Sequence, residues 1–250
     1  MHDLLTTALA TPGLIWLVLT IMAAGIVRGF AGFGTALIFV PIANIFLPTA
    51  DVIAVMVLTG GCSAAALLPR AVKVAELNDV SVLGGASILT VPIGLSIMTQ
   101  LPQDVVRWIA ALITAAMLSA LILGWRYKGH IDLKRLLGIG AAAGGVGGMT
   151  GLTGPVVVLF YLANGSRAEI VRANTIVFLA MLDTVILINM AIGGLITWRL
   201  VVLSFVLAVP YFITSRLGQA LFDPKYETTY RSIAYMVIGL AVVTGLPLWE

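Results

Sequence analysis

Gly144-Gly145-Val146-Gly147-Gly148-Met149-Thr150-Gly151-Leu152-Thr153-Gly154-Pro155 is the stretch on which the fold of this chain turns. It interrupts the apolar run Leu136–Leu162, in which a single helix would otherwise be expected. Glycine disfavours a helix interior and admits left-handed backbone, while proline fits the first turn of a new helix. The reading is therefore two short helices joined by a bend. The piece after the bend, Pro155–Ala163, is too short to cross about 30 Å of hydrocarbon, which takes roughly 20 residues. Non-helical backbone at membrane depth survives only when it is buried in protein or lines a cavity. A re-entrant hairpin is expected, with two short full crossings as the alternative.

A second break of the same kind lies upstream. Gly13–Leu47 is long and apolar but is broken by Gly29-Phe30-Ala31-Gly32-Phe33-Gly34, and its trailing piece, Thr35–Leu47, is again short. It does not read as a dinucleotide fingerprint, because it follows an apolar helix rather than a strand and its glycine spacing is reversed. Between and after the breaks lie six full-length candidate spans: Val52–Leu68, Val80–Met98, Val105–Trp125, Ile170–Ile192, Leu200–Leu221 and Ser232–Leu248.

Composition agrees with that count. Of 250 residues, 60% are hydrophobic and 10% charged, and the mean hydropathy is +1.10. A soluble domain is about half apolar and a quarter charged, so this chain has too little polar surface for water. One cysteine, Cys62, makes no internal disulfide, and with His2 and His130 alone no Cys/His metal site is expected. The net charge of +3 reads as loop lysines and arginines that set orientation in the membrane, not as a nucleic-acid surface. Met1–Pro12 lacks the basic segment of a cleavable signal.

The two breaks share a register, Gly29 and Gly32 falling on Gly148 and Gly151. Asp51 is matched to Glu169 at the head of a long helix, Pro92 to Pro210 inside a later span, and Asp104–Arg107 to Glu227–Arg231. The expected fold is all-α and polytopic, with two repeats, each a glycine-broken hairpin plus three transmembrane helices. Residues 1–125 form the first repeat, 126–135 a basic cytoplasmic linker and 136–250 the second. Three crossings per unit turn the second unit over, so the repeats are inverted. With both termini outside, Arg70, Lys73, Arg126, Lys128, Lys134, Arg135, Arg167, Arg172, Arg216, Lys225 and Arg231 fall inside. Arg107 and Arg199 fall outside, and Arg28 sits at a hairpin tip. This matches the positive-inside bias, which a parallel arrangement would break. Inverted repeats with helices broken at corresponding places point to a secondary transporter with a midplane site.

A helix starting inside the membrane presents free N–H groups and partial positive charge, which attract an anion. The expected anion-binding residues are Arg28, Gly32, Gly34 and Thr35 at the first break and Thr150, Gly151, Thr153 and Gly154 at the second. The bland alternative for each glycine is tight helix packing, and for Arg28 a snorkelling cation. Thr150 and Thr153 read either as caps or as donors to a ligand. Asp183 lies deep in Ile170–Ile192; an acid there is expensive and marks a functional candidate, read as a proton carrier. Its structural alternative is a hydrogen-bonded acid paired with an arginine. Asn174, nine positions earlier, faces the other side of the helix, and Asn174 and Asn189 read as interhelical hydrogen-bond partners. Trp16, Trp108, Trp125, Trp198 and Trp249 read as interface anchors.

The stretches Gly25-Ile-Val-Arg-Gly-Phe-Ala-Gly-Phe-Gly-Thr-Ala-Leu-Ile-Phe-Val-Pro41 and Gly144–Pro155, with the chain length and repeat, resemble the TauE/SafE family of sulfite-exporter-like membrane permeases. The resemblance implies transport of sulfite or a related organosulfonate or organic anion. It carries over no residue roles, so the site residues rest on the physical reading. The expected partners are a small anionic substrate and the lipid bilayer of a bacterial inner membrane, with no cofactor and no metal; a homo-oligomer is left open. The competing classes are an intramembrane enzyme acting on lipid phosphate, for which no nucleophile–base cluster lies within the spans, and an anion channel.

Overall fold

The computed structural model describes residues 2–31, 34–124, 132–154, 156, 157, 160, 168–221, 225 and 227–247. Among them there is no strand. The described helices, in chain order, are α1 (His2–Leu9), α2 (Leu14–Ala31), α3 (Thr35–Phe46), α4 (Thr49–Ala71), α5 (Leu77–Gln100), α6 (Gln103–Ile122), α7 (Leu133–Thr150), α8 (Ala168–Ile192), α9 (Trp198–Ala220) and α10 (Glu227–Gly245).

Among the described residues, four stretches are long and apolar enough to cross a membrane: Leu77–Gln100, Gln103–Ile122, Glu169–Ile192 and Trp198–Ala220. Of the other two expected spans, Val52–Leu68 lies within the 23-residue helix α4, and Ser232–Leu248 is covered as far as Gly245 by α10. The outward faces are apolar. Leu89, Leu123, Ile192, Phe205, Met236 and Leu240 are all more than half exposed, a surface suited to lipid and not to water. Trp16 and Trp198 are likewise exposed near helix ends, and Trp108 is on the edge of exposure, as anchors at the headgroup level would be. Trp125 and Trp249 lie outside the described residues.

Helix ends follow local chemistry. Asp132 caps α7, its carboxylate accepting from the Arg135 N–H at 3.0 Å, and Thr197 caps α9 by accepting from Leu200 N–H at 3.4 Å. The first break is a turn at Gly34, whose φ of +104° admits glycine readily and other residues poorly. The second is at Gly151, with φ of +77° and its N–H donating to Gly147 O at 2.8 Å.

Two helix crossings dominate the packing: α2 against α9 and α5 against α7. Both are backbone-to-backbone approaches through glycine. A Cβ on Gly29 would stand 2.7 Å from Gln219 N, and one on Gly148 would stand 2.6 Å from Val91 O and 3.2 Å from Leu95 N. The two crossings share a register. Gly25 lies on Tyr211, Thr214 and Ser215 as Gly144 lies on Ser87 and Thr90; Gly218 meets Ile26 O as Gly94 meets Gly145 O. This corrects one expected correspondence. Gly94 takes the place of Gly218, so Pro92, two residues before the former, does not match Pro210, eight before the latter. Between helices, Asp51 bonds Arg199 at 3.3 Å and Asn174 bonds Glu76 at 3.1 Å. Asn174 is thus the interhelical partner expected of it. Asn189 is not, since its amide donates to Val185 O in its own helix at 2.8 Å.

The core runs through the middle of the bundle. Leu37 and Phe39 of α3, Ile53 of α4 and Phe178, Leu182 and Ile186 of α8 are essentially fully buried. Arg107 is 4% exposed and lies 4.0 Å from Asp104 one turn earlier.

Candidate functional site

Thr35 opens α3 directly after the left-handed turn at Gly34, so the first N–H groups of α3 face the bundle interior. Gly34, Thr35, Ala36 and Leu37 form one wall of a cavity of about 60 Å³, room for roughly four waters. Gly151, Thr153 and Gly154 form another wall. Two glycine breaks more than a hundred residues apart in sequence therefore meet at one place. Pro155, which follows the second break, lies outside the described residues, and so does Gly32.

The remaining walls come from crossing helices. α2 supplies Ile21 and Arg28, α4 supplies Met56, Val57, Thr59 and Gly60, α8 supplies Ile176, Leu179 and Asp183, and α9 supplies Tyr211. The lining is mostly apolar with a few polar groups converging on it, as in small-ligand sites generally.

Arg28 and Asp183 are the charged groups of the lining. The Arg28 guanidinium is half-buried and makes no ion pair or hydrogen bond with a described residue. Its charge acts on Asp183, whose carboxylate also accepts a hydrogen bond from the Thr153 hydroxyl. Gly60 stands opposite, and a Cβ there would lie 3.5 Å from Asp183 Oδ2. The acid is thus held by one hydroxyl and one distant cation, with bare backbone on its other side. Asn174, on the opposite face of α8, is fully buried and bound to Glu76, so the helix presents one polar residue to packing and the other to the cavity.

Thr150 is buried beside the cavity but does not line it. Its hydroxyl donates to Val146 O at 2.8 Å and accepts from Leu152 N–H at 3.3 Å. It closes the C-terminal end of α7 and does not cap the helix start after the break. Tyr211 is a lining residue that sequence reasoning missed. Its hydroxyl lies 3.1 Å from Thr35 Oγ1, bridging α9 and the start of α3. No spacing rule relates two positions so far apart. The only hint was its place beside Pro210 inside an apolar span.

Residues 17–246 match the sequence profile of the sulfite exporter TauE/SafE family. The chain belongs to the TauE/SafE family. Family members are transporters and not enzymes, which sets aside the lipid-phosphatase alternative. With the apolar helices, the family places this protein among multi-pass membrane transporters. No curated protein and no solved structure matches the chain.

Proposed function

We propose that this protein is a secondary transporter of a small anion, sulfite or an organosulfonate, in a bacterial inner membrane. The observation that carries the proposal is that both glycine breaks, one arginine and one aspartate line the same cavity. Arg28, Gly34, Thr35, Thr153 and the backbone at Gly151 and Gly154 bind the anion, with Gly32 beside them in sequence. Arg28 supplies the charge and the start of α3 supplies free N–H groups. Asp183 carries a proton with the anion.

The two halves, residues 1–125 and 136–250 with a basic cytoplasmic linker between, are inverted repeats that rock about this cavity. The shared register of the α2–α9 and α5–α7 crossings supports that reading, since each half lends the other the same glycine-faced contact. So do the two clasps, Asp51–Arg199 and Glu76–Asn174, each of which joins a residue of one half to a residue of the other.

The test is a thermal-stability screen of the detergent-solubilised protein with sulfite, sulfate, thiosulfate, taurine, sulfoacetate, phosphate, acetate and lysine. A ligand at about 100 times its Kd stabilises by roughly 2.7 kcal/mol. Selective stabilisation by a sulfur oxyanion or sulfonate, followed by saturable counterflow of that anion in liposomes, is the expected result. Stabilisation by lysine alone would sink the anion site, and flux without counterflow would point to a channel.

A further inference from the structure

Resting on that anion-site reading, we infer that Asp183 competes with the transported anion for Arg28, so that the cavity takes up one singly charged anion only together with one proton on Asp183. The carboxylate is itself an oxyanion occupying part of the site. It uses the Thr153 hydroxyl and the field of Arg28, two of the groups an incoming sulfonate or sulfite oxygen would need. When Asp183 is ionised the lining carries one positive and one negative charge. When it is protonated the lining carries a net positive charge that attracts a monoanion, strongly so in an apolar surround.

The groups that face Asp183 leave few other ways to balance it. α2 brings Arg28, the turn after α7 brings Thr153, and α9 brings Tyr211, whose hydroxyl lies beside Thr35. α4 brings Met56, Val57, Thr59 and Gly60, none of them titratable. α5 meets α8 through Met181, packed on Gly84, and its acids Glu76 and Asp79 lie in its first turns, Glu76 being bound to Asn174. Glu169 and Arg172 are more than ten residues from Asp183 along α8, about 16 Å or more.

The pair is also present once, although the packing that surrounds it is present twice. In the shared register Gly25 and Gly29 take the places of Gly144 and Gly148, so the counterpart of Arg28 is Gly147. Matching the Asp51–Arg199 contact to the Asn174–Glu76 contact puts Asp51 in the place of Asn174, and nine residues on from each stand Gly60 and Asp183. Each charged residue therefore has a glycine as its counterpart, and the counterpart of Asp183 is the residue directly facing it. A site with one cation and one acid holds one monoanion and one proton, and a cycle that carries both moves no net charge.

The test uses the full-length protein in detergent and methanesulfonate, a monoanion at every pH used. In wild type, affinity should be flat at acid pH and then fall about tenfold for each further pH unit. In a weakly buffered solution, about one proton should be taken up per anion bound where affinity is falling. Asp183→Asn should bind at every pH with the affinity wild type shows at acid pH. In liposomes it should exchange the anion but fail to accumulate it against a gradient when driven by protons. Wild-type binding without proton uptake would overturn the competition while leaving the anion site standing, as would a steep pH dependence retained in Asp183→Asn. No binding by wild type at any pH, with Arg28→Gln unchanged, would overturn the anion site itself and this inference with it. The proton-uptake measurement needs no variant, so a poorly folding Asp183→Asn protein does not shelter the inference.

Discussion

Asn174 closes a two-point clasp on Glu76: its Nδ2 donates to Glu76 Oε2 at 3.1 Å, and its Oδ1 accepts from the Glu76 N–H at 2.7 Å. Both ends of the amide are used, at the point where the first residues of α5 meet α8. Asn174 is fully buried, so the bonds form away from solvent. Removing the amide leaves a carboxylate and an N–H without their partner, a cost of about 1–3 kcal/mol.

Asn174→Leu should therefore lower thermal stability in detergent by about that amount, measured by denaturation in a fixed detergent. Asp51→Asn weakens the corresponding contact with Arg199, but both of those side chains are partly exposed. Its expected cost is below about 1 kcal/mol. Equal losses for the two variants would contradict the assignment of the tighter clasp to Asn174.

Glycines of α7 should separate cleanly by what they face. Gly148→Ala places a methyl against the backbone of α5 and should cost at least 1–3 kcal/mol or prevent a monodisperse protein. Gly145→Ala meets nothing within 4 Å and should be neutral or stabilising by up to about 1 kcal/mol through helix propensity. Size-exclusion profiles and denaturation midpoints of the two variants decide it.

Gly151→Ala should be destabilising by about 1–2 kcal/mol, because alanine at a φ of +77° pays a steric penalty and its Cβ would lie 3.1 Å from Ile53 Cγ1. Gly154→Ala, with only Leu179 methyl groups at 3.9 Å, should be tolerated for folding. Comparing expression and denaturation of the pair separates backbone strain from simple crowding of the cavity.

Tyr211→Phe removes one hydroxyl of the 3.1 Å contact with Thr35. The expected loss is about 1 kcal/mol of stability. A double-mutant cycle with Thr35→Val should show coupling of about 0.5–1.5 kcal/mol; additivity would mean the two hydroxyls do not depend on each other.

Arg28→Gln should weaken anion binding by about 10- to 100-fold, the scale of one lost charge-assisted hydrogen bond, with Arg28→Lys intermediate. The readout is the anion concentration needed for half-maximal thermal stabilisation. Unchanged binding in a folded Arg28→Gln protein would remove the arginine from the site.

Hydropathy and glycine spacing alone determined the all-helical membrane architecture, the presence of a break in each half and the candidacy of Arg28, Gly34, Thr35, Gly151, Thr153, Gly154 and Asp183, while Gly144–Gly148 stayed within α7. These are local facts, since a run of apolar residues or a glycine cluster carries its consequence wherever the chain goes. The tertiary structure alone decided which of them meet. It turned Thr150 inward to cap its own helix, gave Asn174 to Glu76 and left Asn189 to its own backbone, and set Tyr211 against Thr35. It also set the α2–α9 and α5–α7 crossings in one glycine register, in which Pro92 and Pro210 do not coincide. Such outcomes depend on the rotation and offset of one helix on another. A glycine-faced crossing sets that offset through backbone contact, and the glycines mark the face that packs closely without naming its partner or its offset.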